Sequence, residues 1–433
     1  MKREGTICII LLSLLLCQQA MSINVWKDGV AHWHHATVGQ VLNGNPTQDL
    51  STGYSDTLQI DSLDDFYFLS VFDGSQTEGE KAIWRIEKSD STELIHTTSR
   101  LSDLRGIQYM NYATKVTEPQ IYTYRHAGKP AVGGRSGRRL IVGGRPSESL
   151  PIDTPSGRMA EYLLIRRTLS PLELGMVESY LSIKYGISLS RMSSYYTATG
   201  KEVWNPYRES GYNSHVIGMG VDSTSHLSQS ATVNASDSTL RLTCSNLRQG
   251  DYLLVGDNGQ QALFERSGGR SELRRKWKVC QHPSGVVHTC GLEFSIGQNV
   301  TSSTLVVSHS DGTSDSIQSG QGIRFAGVPL RDGDVLSLQS VGETEPSAPQ
   351  DYIRLSLSPN PVLAGEDCVA SIRTQEVVKV RINVYSGDGR LLSSQVHGGS
   401  SSYDITLPMI EKGIKIIEAE TRGISVREKL ITK

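Results

Sequence analysis

Cysteine and histidine crowd one short stretch of this chain, where Cys280, His282, His288 and Cys290 stand almost palindromically about Gly285. In a hairpin centred on that glycine, Cys280 would face Cys290 and His282 would face His288. Alternation along the strands would then put all four side chains on one face. Two chemistries follow. Four nitrogen and sulfur donors on one face suit tetrahedral zinc. Opposed cysteines in a non-hydrogen-bonded pair lie near bridging distance, so an oxidising compartment would join Cys280 to Cys290. The disulfide ranks first, unpaired structural residues second and zinc third. A register slip of one residue removes both sharper readings.

Two other clusters could carry chemistry. His32-Trp33-His34-His35 offers three imidazoles, with His32 and His34 on one face of a strand, but no carboxylate or cysteine sits at short spacing. A solvated segment is the commoner meaning, ahead of a metal site. The glycine-rich run 132–139 carries Arg135, Arg138 and Arg139, which could touch an anionic glycan, yet it lacks the Gly-Lys-Ser/Thr of a phosphate loop. A turn between strands is the simpler reading. The chain has no His-Glu-x-x-His and no Gly-x-Ser-x-Gly. These absences set the expectation of a protein that is not an enzyme, with a glycoside hydrolase left open.

Composition narrows the class. The 43 basic and 45 acidic residues nearly cancel, so nothing directs the chain to nucleic acid or an anionic surface. Lys2 and Arg3 precede an apolar run at 7–16, and Ala20-Met21-Ser22 fits a cleavage site. This reads as a secretory signal peptide over residues 1–22 with Ser22 at its end. No other stretch has the roughly 20 apolar residues of a membrane-spanning helix, so the chain is not expected to be an integral membrane protein. About 411 residues would remain, a length for two to four domains of roughly 100–200 residues. Cys244, Cys280, Cys290 and Cys368 would be the cysteines of that mature chain.

The elements that must position these side chains are mostly short β-rich runs. One helix stands out at 170–185. Ser170 is placed to cap it, Pro171 opens the first turn, Glu173 completes a capping box and Gly186 ends it. Leu174, Val177, Tyr180, Leu181 and Tyr185 form one apolar stripe. Near the C-terminus, Pro359-Asn360-Pro361, an alternating run over 377–385, the turn Gly387-Asp388-Gly389-Arg390, a strand from Gly413 and a basic last strand ending at Lys433 predict an all-β module. About seven strands in about eighty residues suggest an immunoglobulin-like sandwich.

That last segment resembles the type A C-terminal sorting domain of the type IX secretion system. The Pro-Asn-Pro opening, the Gly-rich turn with arginine, the late glycine and the basic final strand carry the resemblance; Lys415 stands where the family usually has an aromatic. The resemblance implies export across the outer membrane by the type IX machinery. Upstream, Gly157-Arg158-Met159-Ala160-Glu161, Arg167-Thr168-Leu169-Ser170 and Tyr180-Leu181-Ser182-Ile183-Lys184-Tyr185-Gly186 resemble the end of concanavalin-A-like (laminin-G-like) modules. Glu161 lies where that family has a structural acid. Val203-Trp204, the run 215–222 and Leu227-Ser228-Gln229 resemble the β-rich module that often follows it in type IX cargo. Asp-Ser/Thr triplets starting at Asp56, Asp61, Asp90, Asp222, Asp237 and Asp315 also resemble the O-glycosylation sequon of bacteria with this system.

The expected organisation is a signal peptide (1–22), a concanavalin-A-like jelly roll (23–190), a second β-rich domain of undefined role (191–341), a linker (342–351) and the sorting domain (352–433). The fold class is mainly β. The resemblance implies a secreted or surface-anchored binding protein with a glycan or envelope-protein partner. The alternative is a structural or accessory envelope protein acting through protein contacts in surface assembly or secretion-linked signalling. No cofactor is expected; a structural calcium or zinc is the single possibility kept open.

Overall fold

The strand Asp65–Asp73 is buried along almost its whole length, so it needs cover on both faces. The computed structural model describes residues 25–433 except 61–64, 75–79, 89–90, 99, 104–107, 112–117, 128–136, 145–154, 268–269, 297–299, 301, 320–321, 341–352, 388, 409–410 and 422–423. The expected signal segment with Ser22, the expected linker, Asp388, most of the glycine-rich run, the whole triplet at Asp61 and Asp90 itself lie outside the described residues. The chain is mainly β, in several separate sheets with only short helical pieces besides the helix Pro171–Tyr185.

Asp65–Asp73 sits in a five-stranded sheet, ordered Val30–His35, Arg158–Ile165, Asp65–Asp73, Pro119–Ala127, with Gln48–Asp49 added beside Arg158–Ile165. Phe66, Phe68 and Phe72 point to one side and meet Trp84, Ile86, Leu140 and Val142 of a six-stranded sheet. Tyr67, Leu69 and Val71 point to the other side and meet Met176, Val177, Tyr180 and Leu181 of the helix. Period two on a strand thus feeds two cores.

The helix is capped as the sequence predicts. Glu173 N donates to Ser170 Oγ at 3.2 Å, Ser170 N donates to Glu173 Oε2 at 2.9 Å, and Gly186 takes a left-handed φ of 66°. Its burial exceeds the single expected stripe. A nine-stranded sheet, which includes Ser214–Asp222, Tyr252–Asp257 and Trp277–His282, packs on its other side through Val216, Tyr252, Leu254 and Cys280. Small residues permit the second contact: a Cβ on Gly218 would stand 3.0 Å from Ile183. Ser179 is buried but satisfied, donating to Gly175 O and accepting from Tyr196 N. The far face of the nine-stranded sheet packs on a four-stranded sheet, Ala231–Val233, Leu240–Cys244, His288–Phe294 and Arg324–Leu330, around a second core.

One carboxylate ties helix to sheet. The register of Arg158–Ile165 against Asp65–Asp73 slips between Met159 and Glu161, and the extra residue of this bulge turns Glu161 to the helix side. Fully buried, Glu161 accepts from Trp33 Nε1 (2.5 Å), Tyr180 Oη (2.9 Å), Tyr185 Oη (2.7 Å) and Lys184 Nζ (2.6 Å). Burial, then the Glu161 charge, pushes both tyrosine hydroxyls up, so they remain donors.

Among the described residues the C-terminal module has five strands, fewer than the seven anticipated, because Asp367–Ser386 and Leu391–Pro408 each run through register shifts rather than stopping at turns. Its motif residues have definite work. Asn360 Nδ2 donates to Lys429 O at 2.7 Å and Ile431 N donates to Asn360 Oδ1 at 3.1 Å, so the Pro359-Asn360-Pro361 opening is stitched to the final strand. Lys433 N continues the seam to Val362 O. At the turn, Ser386 N bonds Arg390 O and Gly389 has a φ of 88°, while a Cβ on Gly387 would press on Ile414 O. Gly413 also has a left-handed φ. Lys415 is buried with its ammonium on Glu411 O and Thr432 Oγ1.

A charged junction joins this module to the rest. Arg381 Nε donates to Glu118 Oε1 (2.8 Å) and its Nη1 to Glu420 Oε2 (3.1 Å), while Gln261 Nε2 donates to Ser425 O (2.7 Å). Beneath it, Arg275 donates to Asp237 at 2.6 Å and His215 Nδ1 lies 2.8 Å from Asp257 Oδ2. His215 adopts a φ of 45° to reach that acid. Burial works against its imidazolium, yet the hydrogen bond and charge of Asp257, aided by Asp237, outweigh it and raise its pKa.

Two outcomes follow from these contacts. Glu161→Ala leaves Lys184 uncompensated and three donors unmet, and we expect a loss of about 3–5 kcal/mol, read by urea unfolding; a loss under about 1 kcal/mol contradicts the tie. For His215 the folded pKa is above the unfolded value near 6.5. Its stabilisation is therefore complete below that value and is lost as pH rises through the folded pKa. The stability gap between wild type and His215→Gln should be widest at pH 5.5 and narrow by pH 9.

Candidate functional site

The four residues of the near-palindrome do not come together. Trp277–His282 pairs with Tyr252–Asp257 and Val335–Ser340, whereas His288–Phe294 pairs with Leu240–Cys244 and Arg324–Leu330. The chain crosses between two sheets at 283–287, so no hairpin forms. Cys280 opposes Leu254 and points to the helix core; Cys290 points into the core between the two sheets. The expected Cys280–Cys290 disulfide is therefore corrected: Cys244, Cys280, Cys290 and Cys368 are free thiols. The zinc alternative fails for the same reason, since His282 lies on the first strand and His288 on the second. Among the described residues no group of three or more His, Cys, Asp or Glu is arranged for a metal.

The histidines at 32–35 fare differently. Val30–His35 edges the five-stranded sheet and Ser55–Gln59 edges the six-stranded one. His32 and His34 share a face, as alternation requires, and both stack on Tyr162, with centroids 5.8 and 4.7 Å away. Tyr162 Oη donates to Asp56 and shares a 2.7 Å hydrogen bond with Tyr54 Oη. Tyr54 Oη in turn reaches His34 Nε2 at 3.3 Å, and His32 Nε2 lies 3.2 Å from Asp56. Burial lowers the His34 pKa and raises those of Tyr54 and Tyr162, so three of the five groups stay uncharged at neutral pH. The chain of contacts closes the open edge between the two sheets. Tyr54, Asp56 and Tyr162 come from distant segments, and no local spacing in the sequence announces them.

Among the described residues, a cleft of about 500 Å³ opens at one end of the same module. Gln40, Thr47, Gln48, Asp49, Thr52 and Arg158 line it. The hairpin Val41–Leu42 and Asn45–Pro46 holds one wall; its Asn43-Gly44 turn is a hairpin signal that the sequence carries. Asn43 and Asn45 also donate to the Lys184 carbonyl at the helix end, at 3.1 and 2.8 Å, which fixes this wall against the helix. At the floor, Gly157 has a φ of 97°, and a Cβ there would strike the Phe72 ring at 2.6 Å.

The guanidinium in the cleft is paired. Arg158 donates to buried Asp73 and, at 2.5 Å, to Gln40 Oε1. Asp49 accepts from Ser51 N at 2.8 Å and Ser51 Oγ at 2.6 Å, capping the turn Leu50–Thr52. Both acids are thus committed as acceptors within the fold. What faces the space is a set of amides and hydroxyls, the Asp49 carboxylate held by Ser51, and one neutralised guanidinium, rimmed by the exposed apolar Val38. Such a lining binds through many modest hydrogen bonds rather than through one charge.

Comparison with known proteins adds little. A family model described as a domain of unknown function, DUF8202, matches residues 173–334, which takes in most of the helix and most of the two larger sheets that follow it. No curated protein matches the chain in sequence. Among solved structures, a beta-glucuronidase of Faecalibacterium prausnitzii is similar at 11% identity over 43% of this chain and 37% of that one, with a TM-score of 0.17. A NanB structure with optactamide shows 9% identity over 93% and 80%, with a TM-score of 0.23. Dimeric latent PorU of Porphyromonas gingivalis shows 12% over 86% and 30%, with a TM-score of 0.17. The chain thus spans little more than a third of the glucuronidase length, and at such scores none of these likenesses bears on what it does.

Proposed function

We propose that this chain is an exported, non-catalytic binding protein whose first module holds an uncharged glycan in the cleft beside Arg158. The cleft carries this reading. Its amide and hydroxyl lining matches the alternating donors and acceptors of sugar hydroxyls, its guanidinium is already paired with Asp73, and its volume lies in the range of small-ligand sites. On this reading the first module is a concanavalin-A-like jelly roll and the loops at its end form the binding surface. The C-terminal module is an immunoglobulin-like sorting domain read by the type IX machinery, and the chain is delivered to the outer surface or medium. The Asn360 seam supports that second half, since it gives the Pro-Asn-Pro motif and the terminal strand one structural role. Exposure of Thr57, Ser223, Ser238 and Ser316 within the Asp-Ser/Thr triplets is compatible with surface modification.

A second reading, an accessory envelope protein working through protein contacts, draws on Met192 and Tyr207, which are 63% and 75% exposed in the middle module. Such a role would leave glycan binding absent and envelope pull-downs insensitive to added sugar.

Binding should be measured on the whole mature chain, because the helix core is shared and residues 23–190 alone would bare one face of the helix. A glycan array should show signal for neutral glycans. Gln40→Ala and Gln48→Ala should each weaken it roughly two- to tenfold, and a flat array sinks the glycan reading. Export is tested separately by fractionation and mass spectrometry of a chain truncated before Tyr352. The truncated form should stay in the periplasm, and its arrival at the surface would remove the sorting assignment.

A further inference from the structure

The logic that fails for Cys280 succeeds for another pair. In the four-stranded sheet, Cys244 stands directly opposite Cys290. Cys244 N donates to Ser230 O at 2.8 Å on its other side, so its backbone groups point away from Cys290. The two cysteines are therefore a non-hydrogen-bonded antiparallel pair, the type whose Cα atoms approach to about 4.5 Å. That spacing falls within the range a disulfide spans, about 4.4–6.8 Å. Both side chains point into the core between the sheets, beside Leu242 and Leu292.

A third group completes the arrangement. His288 precedes Cys290 by two residues, so it shares that face, and it is completely buried. Cys244 Sγ lies 3.2 Å from Asn246 Oδ1, and Cys290 and His288 present their buried face from the neighbouring strand. Both His288 ring nitrogens are buried and have no hydrogen-bond partner among the described residues. Cys244 ends its strand next to exposed Ser245 and Asn246, which gives an incoming reagent a short path to one sulfur. The other described cysteines lack such company: Cys280 sits in a different core and Cys368 in a different module.

We propose that Cys244 and Cys290 are a redox couple that closes a cross-strand disulfide, with His288 receiving the Cys244 proton. The oxidant is a disulfide, either a small one such as oxidised glutathione or that of a thiol oxidoreductase. The Cys244 thiolate attacks one of its sulfurs, forming a mixed disulfide and releasing the first thiolate. Cys290 then gives up its proton to that thiolate and attacks Cys244 Sγ, releasing the second, which takes the proton held by His288. Two protein thiols lose two protons and two electrons; the external disulfide becomes two thiols. The asymmetry of the pair fits these roles. The neighbouring Cys290 thiol, with help from His288, lowers the Cys244 pKa against the opposing effect of burial, while Cys290 is pushed up. The inference rests on this sheet alone and is independent of the glycan reading.

The test is thiol mapping on the folded, full mature chain. After exposure to oxidised glutathione, alkylation and non-reducing digestion, the peptides holding Cys244 and Cys290 should appear joined and two hydrogens lighter, with Cys280 and Cys368 alkylated. The wild-type product decides the pairing without any variant that could fail to fold. Alkylation of all four cysteines, or a link to Cys280 or Cys368, overturns the proposal. The histidine is tested by rate: His288→Asn should slow closure roughly tenfold or more near neutral pH while the same link still forms in time. An unchanged rate removes His288 from the step.

Discussion

Four donors converging on the Glu161 carboxylate hold the helix against the first module's sheet. A buried anion is tolerable only when its oxygens are fully occupied, and here Trp33, Tyr180, Lys184 and Tyr185 supply that occupancy from an edge strand and from the helix. The acid consequently sets the height and rotation of the helix over the sheet. That pose fixes where the Lys184 carbonyl lies, and Asn43 and Asn45 read that carbonyl from the wall of the cleft. A single bulge at Met159–Glu161 thus governs the geometry of a ligand space built from other segments.

Local signals translated well where one residue type meets one backbone need. Ser170, Pro171, Glu173 and Gly186 define the helix ends because capping is decided within a turn. The alternation in the C-terminal module gives its strands, although not the bends that merge several into two long ones. The failure at Cys280–Cys290 has a clear cause. A palindrome with a central glycine describes a hairpin only if both arms join the same sheet, and sheet membership is settled by partners far along the chain. Leu254 and Cys244 are those partners, 26 and 46 positions away from their cysteines in the sequence. Cys244 showed no neighbouring motif, so its match to Cys290 was invisible without the register.

The cleft was equally illegible, for the complementary reason. Glutamine, threonine and serine lining residues are the ordinary content of loops, and only their convergence beside Arg158 gives them meaning. The histidines at 32 and 34 carried a signal of type but not of role, because the groups that engage them are two tyrosines and an aspartate on other strands. Lys415 reads as an anomaly in a list of motif residues and as an ordinary buried lysine once Glu411 O and Thr432 are seen around its ammonium.

Because the helix lies between two sheets, the chain cannot finish its first module in the order in which it is made. Residues 30–185 can assemble one side of the helix core, but Tyr195, Trp204, Val216, Tyr252 and Cys280 cover the other. Until about a hundred more residues emerge, a half-sheathed apolar helix must wait in water, the condition that favours association with chaperones or with itself. The kinetic vulnerability of this protein therefore lies in the interval between synthesis of the helix and synthesis of the strand that ends at His282.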